Sequence, residues 1–344
     1  MSTSLLCSLT KLHLEDMYGV FDTAAELING LRSMPRLQEL RMHDVSVLGN
    51  DLDTKEASHE HNPLILAQLR VFYFSGKVSN LKFIRGIRFP PAASLTIRIR
   101  SYGEISFPWD WHGLLASLQD HGTRCDTGPN VRRLECYEDS RNFAFHAYAT
   151  PCLDDPTPPL LRLIIDDKLF INTERDIDFV GMLQLEHLEV LGLCLRDGFN
   201  EDLVTRILKH GHNVSELWLR SHYASKTALT QLARSSLKQG KKKGQSTDPP
   251  LLPEVRRIHA NLEERRPSQD LLSRLRSLLK QRSRSASGPP ELMLVNSRID
   301  KPEEIEKLRT AAGRTELVQL MDDADVSGES YFGLPDETPE DELH

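Results

Sequence analysis

Cysteine is scarce: there are five in 344 residues, and no two form a C-x-x-C pair. Cys7, Cys125, Cys136, Cys152 and Cys194 stand far apart and are odd in number. That spacing argues against a disulfide framework or a thiolate metal knuckle and leaves free thiols. Long apolar runs are missing too, so no segment is expected to span a bilayer. Residues 1–20 lack the basic start and continuous apolar core of a signal peptide, so a cytoplasmic or nuclear location is expected. No P-loop, G-x-G-x-x-G, G-x-S-x-G or H-E-x-x-H is present. With no clustered acid, base or nucleophile, the sequence offers no enzyme and calls for no cofactor.

What remains is a foldable, slightly polar composition with 39% hydrophobic and 27% charged residues. The length exceeds what one compact core usually holds, which leaves two domains or an elongated array. The net charge of −7 hides an asymmetry. From Arg234 to Arg284 there are 14 Lys/Arg against 5 Asp/Glu, and from Asp322 to His344 there are 9 Asp/Glu and no Lys or Arg. A basic block and an acidic tail can attract each other or meet separate partners.

The phrase L-x-x-L-x-x-L-x-L recurs along the chain. It reads Leu6, Leu9, Leu12, Leu14, then Met34, Leu37, Leu40, Met42, then Leu66, Leu69, Phe72, Phe74, and most clearly Leu185, Leu188, Leu191, Leu193. Shortened copies place further strand anchors near 97, 136, 165, 219, 260 and 294. The closing L-x-L has period two, the mark of a short strand with one buried face. Between strands, apolar residues recur at helical spacing: Leu27, Ile28, Leu31 behind Asp22; Leu203, Val204, Ile207, Leu208 between Asn200 and Gly211; Leu271, Leu272, Leu275, Leu278, Leu279 behind Ser268. Asp22, Asn200 and Ser268 are the expected caps.

Strand followed by helix, about ten times over, is expected to stack in chain order. The result would be an α/β, irregular leucine-rich-repeat solenoid with a curved parallel sheet inside and helices outside. A doubly wound α/β domain is the rival, but its long Val/Ile runs and glycine-rich turn are missing.

The regular repeat sets Asn three residues after the last strand leucine. Those places hold Met17, Val45, Lys77, Asp139, Lys168, Arg196, His222 and Ser297, so backbone or water is expected to satisfy the turns. The expected layout is a repeat domain over 1–322, with basic insertions near 240–253 and 282–290, and a disordered acidic tail over 323–344. Polar loops are expected over 50–62 and 151–159. Repeat-like sequence starts at Leu6 with no cap ahead of it, so either a truncated N-terminus or a first repeat sealed by another protein is expected.

The stretches LTKLHLEDM…LRSMPRLQELRMHDV (Leu9–Val45), LKFIRGIRFPPAASLTIRI and LEHLEVLGL resemble fungal F-box proteins with degenerate leucine-rich repeats, those of mushroom-forming fungi above all. The resemblance covers roughly residues 5–322. It implies that the repeats hold a ubiquitination substrate. An F-box, were one present outside this chain, would dock a Skp-type adaptor.

Residues alternating with the buried leucines must point to the other sheet face. The stripe runs from His13 to His259 and is rich in Arg, Tyr, Trp and His, types enriched at interfaces. Arg41, Tyr73, Arg98, Arg100, Tyr137, Arg196, Trp218, Arg220 and His259 are the candidate partner-binding residues; Arg162 and Glu135 lie on the same stripe. Trp218 and Arg220 are expected to matter most. Elsewhere, His59-Glu60-His61 lacks a further metal ligand. His210 and His212 suit a helix C-terminus. Trp109-Asp110-Trp111-His112 reads as a core cap with a subsidiary binding role. The Arg234–Arg284 block offers the alternative function, a nucleic-acid-associated scaffold, but no stacking aromatics lie within it. Ser283, Ser285 and Ser287 beside it are candidate phosphorylation sites.

Overall fold

The computed structural model describes residues 6–46, 63–77, 83–84, 86–100, 130–138, 142–153, 155–166, 185–196, 201–241, 251–261, 269–283, 288–295, 302–312 and 314–318. The strands in the first half are β1 (Lys11–Glu15), β2 (Glu39–His43), β3 (Leu64–Ile65), β4 (Val71–Gly76), β5 (Ile87–Arg88) and β6 (Ser94–Ile99). Then come β7 (Arg133–Glu138), β8 (Phe143–Tyr148), β9 (Leu161–Ile165), β10 (Val190–Cys194), β11 (Glu216–Leu219), β12 (Arg257–Asn261), β13 (Glu291–Val295) and β14 (Thr315–Val318). The helices are α1 (Ala24–Arg32), α2 (Glu201–His210), α3 (His222–Lys241), α4 (Gln269–Arg282) and α5 (Pro302–Ala311). The fold class is α/β: twelve strands form one mostly parallel sheet, and β3 pairs with β5 separately.

The repeated phrase has a local cause. Its L-x-x-L half closes a tight turn, with the amide of the second apolar residue bonding the carbonyl of the first. Leu37 N–H donates to Met34 O (3.1 Å), Leu69 to Leu66 (3.0 Å) and Leu188 to Leu185 (3.0 Å). The next amides then reach a carbonyl at the entry of the neighbouring strand. Gln38 and Glu39 donate to Thr10 O, Arg70 and Val71 to Gln38 O, Glu189 and Val190 to Arg132 O, and Ser215 and Glu216 to Glu189 O. Each turn thereby sets its strand one step along the sheet, in register.

Two strand rows point inward. One runs Leu12, Leu40, Phe72, Leu95, Leu161, Ala147, Leu134, Leu191, Leu217, Ile258, Leu292. Most of these side chains are wholly buried, and they share one core with the apolar faces of the helices. In α1 those are Ala24, Leu27, Ile28 and Leu31, in α2 Leu203, Val204, Ile207 and Leu208.

All ten expected strand anchors lie on strands, but not in chain order. The sheet order is β1-β2-β4-β6-β9-β8-β7-β10-β11-β12-β13-β14. No helix is described between β7 and β9; β8 lies there instead, antiparallel to both. Only four residues, 139–142, separate β7 from β8. So short a link makes a hairpin, not a parallel crossover. The second reversal leaves β9 parallel to β6, two places from β7. Phe143-Ala144-Phe145-His146-Ala147-Tyr148 alternates as a strand should, with Phe145 and Ala147 in the inward rows, but it carries no leucine phrase.

Two details of capping and turn chemistry differ as well. Thr23, not Asp22, caps α1: its backbone is extended and its Oγ1 accepts from Glu26 N–H at 3.1 Å, while Glu26 Oε2 accepts from Asp22 N–H at 3.0 Å. This resembles a capping box, except that the Glu26 carboxylate reaches the amide one residue ahead of the cap. At the β10 and β11 exits a side chain, Ser221, joins the backbone in satisfying the turn. Its Oγ accepts from Ala224 N–H and Leu195 N–H (both 3.1 Å) and donates to Leu195 O (2.5 Å). The β1 and β2 exits use Asp16 and Asp44, with φ of 50° and 47°. Aspartate tolerates that left-handed conformation better than most residues. The expected caps Asn200 and Ser268, the loop over 50–62 and the tail over 323–344 lie outside the described residues.

Gly211 follows α2 and opens the next turn. A Cβ there would sit 2.6 Å from Leu252 Cδ2 and 2.9 Å from Val214 Cγ2. Gly211→Ala is expected to cost roughly 1–3 kcal/mol by overpacking. Urea denaturation checks this; an unchanged midpoint would mean the turn has room to spare.

Candidate recognition face

The face opposite the core carries the alternate residues of the same strands. Register aligns them in one row from His13 through Arg41, Tyr73, Thr96, Arg162, His146, Glu135, Gly192, Trp218 and His259 to Met293. A flanking row holds His43, Ser75, Arg98, Ile164, Ala144, Tyr137 and Cys194. The sheet therefore brings together side chains that lie far apart in the chain.

Three of the candidate residues meet at β11 and β12, Arg220 standing one residue past the end of β11. The Trp218 and His259 rings stack, with centroids 3.6 Å apart and planes 9° apart. Arg220 lies 5.9 Å from the indole centroid. Trp218 Nε1–H donates to Glu216 Oε1 at 2.6 Å. His259 Nε2 lies 3.0 Å from that same oxygen. His259, with Trp218, holds the Glu216 carboxyl below the usual range against the opposing effect of burial. This is the cover an indole on a strand face requires.

Arg220 connects this group to β7. Its Nη2 is 3.0 Å from Glu135 Oε1, and Tyr137 OH donates to Glu135 Oε2. Gly192 lies between Glu135 and Trp218 in the row; a Cβ there would approach Glu135 Cγ to 3.3 Å. Tyr137 and His259 were expected to be exposed. They are 7% and 5% exposed, packed under neighbouring side chains, so they shape the surface more than they form it. Burial, and then the charge of Glu135, pushes the Tyr137 phenol far up.

The other candidates are separate from this group. Arg41 Nε donates to Glu39 Oε1 (2.6 Å) and Arg98 Nε to Asp166 Oδ2 (2.8 Å). Tyr73 is partly buried in the row. Arg100 and Arg196 lie past their strands' ends. Arg100 donates to Asp44 Oδ2 (2.9 Å) and its Nη2 is 2.8 Å from His43 Nε2. Arg196 is exposed, and only its backbone N–H, bonded to Glu138 Oε2, ties it to the sheet. Asp16, His43 and Asp44 could bring three ligand atoms within 4.8 Å of one another, but the Arg100 guanidinium already occupies the pair His43 and Asp44.

The sequence pattern missed His146, because β8 carries no leucine beat. Its alternation of aromatic and small residues was the available signal. His146 is 7% exposed, with Tyr137 at 5.0 Å and Tyr148 at 6.5 Å between ring centroids. Burial, aided by Arg162, pushes the imidazole down to about 3.

Several arginines of the basic block are engaged within the chain. Arg257 is within 3.3 Å of both Glu216 and Glu291, and Arg274 bonds Thr230. Arg282 is buried against the carbonyls of Leu251 and Pro253. Lys242, Lys243, Arg265, Arg266, Arg284, Ser285, Ser287, His59-Glu60-His61 and Trp109-Asp110-Trp111-His112 lie outside the described residues. Among the described residues, no helix is long and apolar enough to cross a membrane. No protein-family model and no curated protein sequence matches the chain.

Glu39 anchors the first strand pair, within 3.0 Å of Lys11 Nζ, 2.6 Å of Arg41 Nε and 3.3 Å of His13 Nε2. Lys11 foremost, with Arg41 and His13, holds its carboxyl at about 2 against an ordinary 4.5. A depressed folded-state value gives stability that is complete above 4.5 and is lost as pH falls towards 2. The stability difference between wild type and Glu39→Gln should therefore hold steady at neutral pH and shrink through that acid window. A difference in urea midpoint that persists unchanged to the bottom of the window would contradict the assignment.

Proposed function

We propose that the chain is a non-enzymatic protein-recognition scaffold of degenerate leucine-rich-repeat type, and that a protein partner lies across the solvent-side face of its sheet. The observation that carries this reading is the row itself. One face of the sheet is committed to the core, and the row on the other carries His13, Arg41, Tyr73, Arg162, His146, Trp218 and His259 in register, with Thr96, Glu135, Gly192 and Met293 among them. Repeated turns of L-x-x-L form feeding parallel strands support the repeat assignment. The resemblance to fungal F-box proteins supports a ubiquitination substrate as the partner, with a Skp-type adaptor entering only through an F-box outside this chain. The internal pairing of Arg257, Arg274 and Arg282 favours this reading over a nucleic-acid scaffold.

Trp218 is the anchor to test. Large aromatic anchors carry a disproportionate share of interface energy. Trp218→Ala is expected to weaken capture of a partner, identified by affinity purification with the wild-type chain, by about tenfold or more, with the melting transition little changed. Arg220→Ala is expected to weaken it too, at some cost in stability, because Glu135 loses a cation. Unchanged capture by the double variant would refute the placement of the partner.

A further inference from the structure

Arg162 sits at the middle of the row, on β9. Apart from Arg196, which is exposed to solvent, every other described arginine of the sheet face has an acceptor or ion-pair partner. Arg41 has Glu39, Arg98 has Asp166, Arg100 has Asp44, Arg220 has Glu135 and Arg257 has Glu216 and Glu291. Arg133 has the Cys152 carbonyl and lies 3.7 Å over the Tyr148 ring. Arg162 has neither hydrogen bond nor ion pair among the described residues, and its Nε–H is buried without an acceptor.

The register explains why. Thr96 and His146 flank it on the adjacent strands, Leu160 and Ile164 precede and follow it on its own face, and Arg98 and Tyr148 lie diagonally. None of these is a carboxylate. His146 Nε2 is likewise buried and unpartnered, on a residue more than nine-tenths buried. A partly buried guanidinium with an unmet donor is costly to keep, and an unsatisfied buried group in a folded protein calls for a reason. Stability given up in this way is found at functional sites.

We propose that Arg162, with Thr96 and His146 beside it, is a subsite for one carboxylate side chain of an acidic peptide segment in the partner protein. The charge selects the ligand: Arg162 stands beside a neutral imidazole with no carboxylate of its own, Arg98 is neutralised by Asp166, and Arg133 and Arg220 share the single carboxylate of Glu135, so this part of the face calls for an anion. With Nε buried, the two Nη groups of Arg162 can offer a carboxylate parallel N–H donors end-on, and Thr96 can add a hydroxyl. The walls supplied by Ile164, Tyr137 and Tyr148 would favour a peptide over a strongly hydrated anion. This proposal rests on the recognition reading above and narrows it to a partner chemistry.

The test is selection of a random phage-displayed peptide library on the intact chain, followed by affinity measurement of the enriched peptides. Enriched peptides should share an Asp or Glu. Their affinity should fall about tenfold or more on Arg162→Met and recover in part on Arg162→Lys. The corresponding Glu→Gln or Asp→Asn peptide should bind wild type and Arg162→Met alike. Arg162→Met should melt at or above the wild-type temperature, because a purely structural arginine would instead cost stability. Peptides that lack an acid, or that bind Arg162→Met as tightly as wild type, overturn the proposal, as does a marked loss of stability in that variant. Displacement of the peptides by inorganic phosphate, where equal chloride has no effect, would reassign the subsite to phosphate. If Trp218→Ala abolishes peptide binding that Arg162→Met spares, the recognition reading stands and this inference falls; if neither variant matters, both fall.

Discussion

The structure depends on register. Each strand begins where its first amides meet a carbonyl of the strand beside it: Thr10, Gln38 and Arg70 in the first half, Arg132, Glu189, Ser215 and Arg256 in the second. Because side chains alternate with period two, that single alignment decides which residues enter the core and which face solvent. A slip of one residue in β11 would exchange Leu217 and Leu219 for Glu216 and Trp218 in the core. The tight L-x-x-L turn prevents the slip, since its second apolar residue is buried immediately before the strand begins: Leu37, Leu69, Leu188, Val214 and Val255 are all buried. Hydrophobic burial thus fixes the backbone ladder, and the ladder fixes the polar row on the far side.

Much of this was legible in the sequence. The period-two and period-3.6 patterns located the strand anchors and the apolar faces of α1, α2 and α4, because both signals reflect local geometry. The order of the strands was not legible. A leucine phrase records which face of a strand is buried, but not which neighbour it pairs with. The reversal at β8 rests on a four-residue link and on Phe145 and Ala147 filling inward positions between Leu163 and Cys136 and between Leu161 and Leu134. Turn chemistry was partly hidden for a related reason. Ser221 acts across two strand exits, and only the fold brings Leu195 to it.

The recognition face was legible as a list of residues but not as an arrangement. Alternation placed Trp218, Arg220 and His259 on one side of the sheet. It could not foresee that His259 would lie flat beneath the indole, or that Tyr137 would turn to Glu135. Nor could it separate paired from unpaired arginines, because the pairs reach across strands: Arg98 to Asp166, Arg100 to Asp44, Arg220 to Glu135. The reversed hairpin also sets the character of the face at its centre. It inserts His146 and Tyr148 beside Arg162, where a chain-order array would have placed β7 and Glu135 next to β6. Among the described residues, Glu39 gathers cations from β1 and β2 and Glu216 from β12, while the centre carries buried aromatic side chains beside Arg162, which has no carboxylate partner.

The continuous face depends on β8 lying inside the sheet. Hydrogen–deuterium exchange followed by mass spectrometry measures this directly on a peptide spanning Phe143–Tyr148. A strand bonded on both sides to β7 and β9 should exchange as slowly as β4, which is flanked by β2 and β6. Exchange of that peptide at the rate of an open loop, with β4 protected, would show that the two parallel arrays are not joined through β8 and would contradict the continuous face.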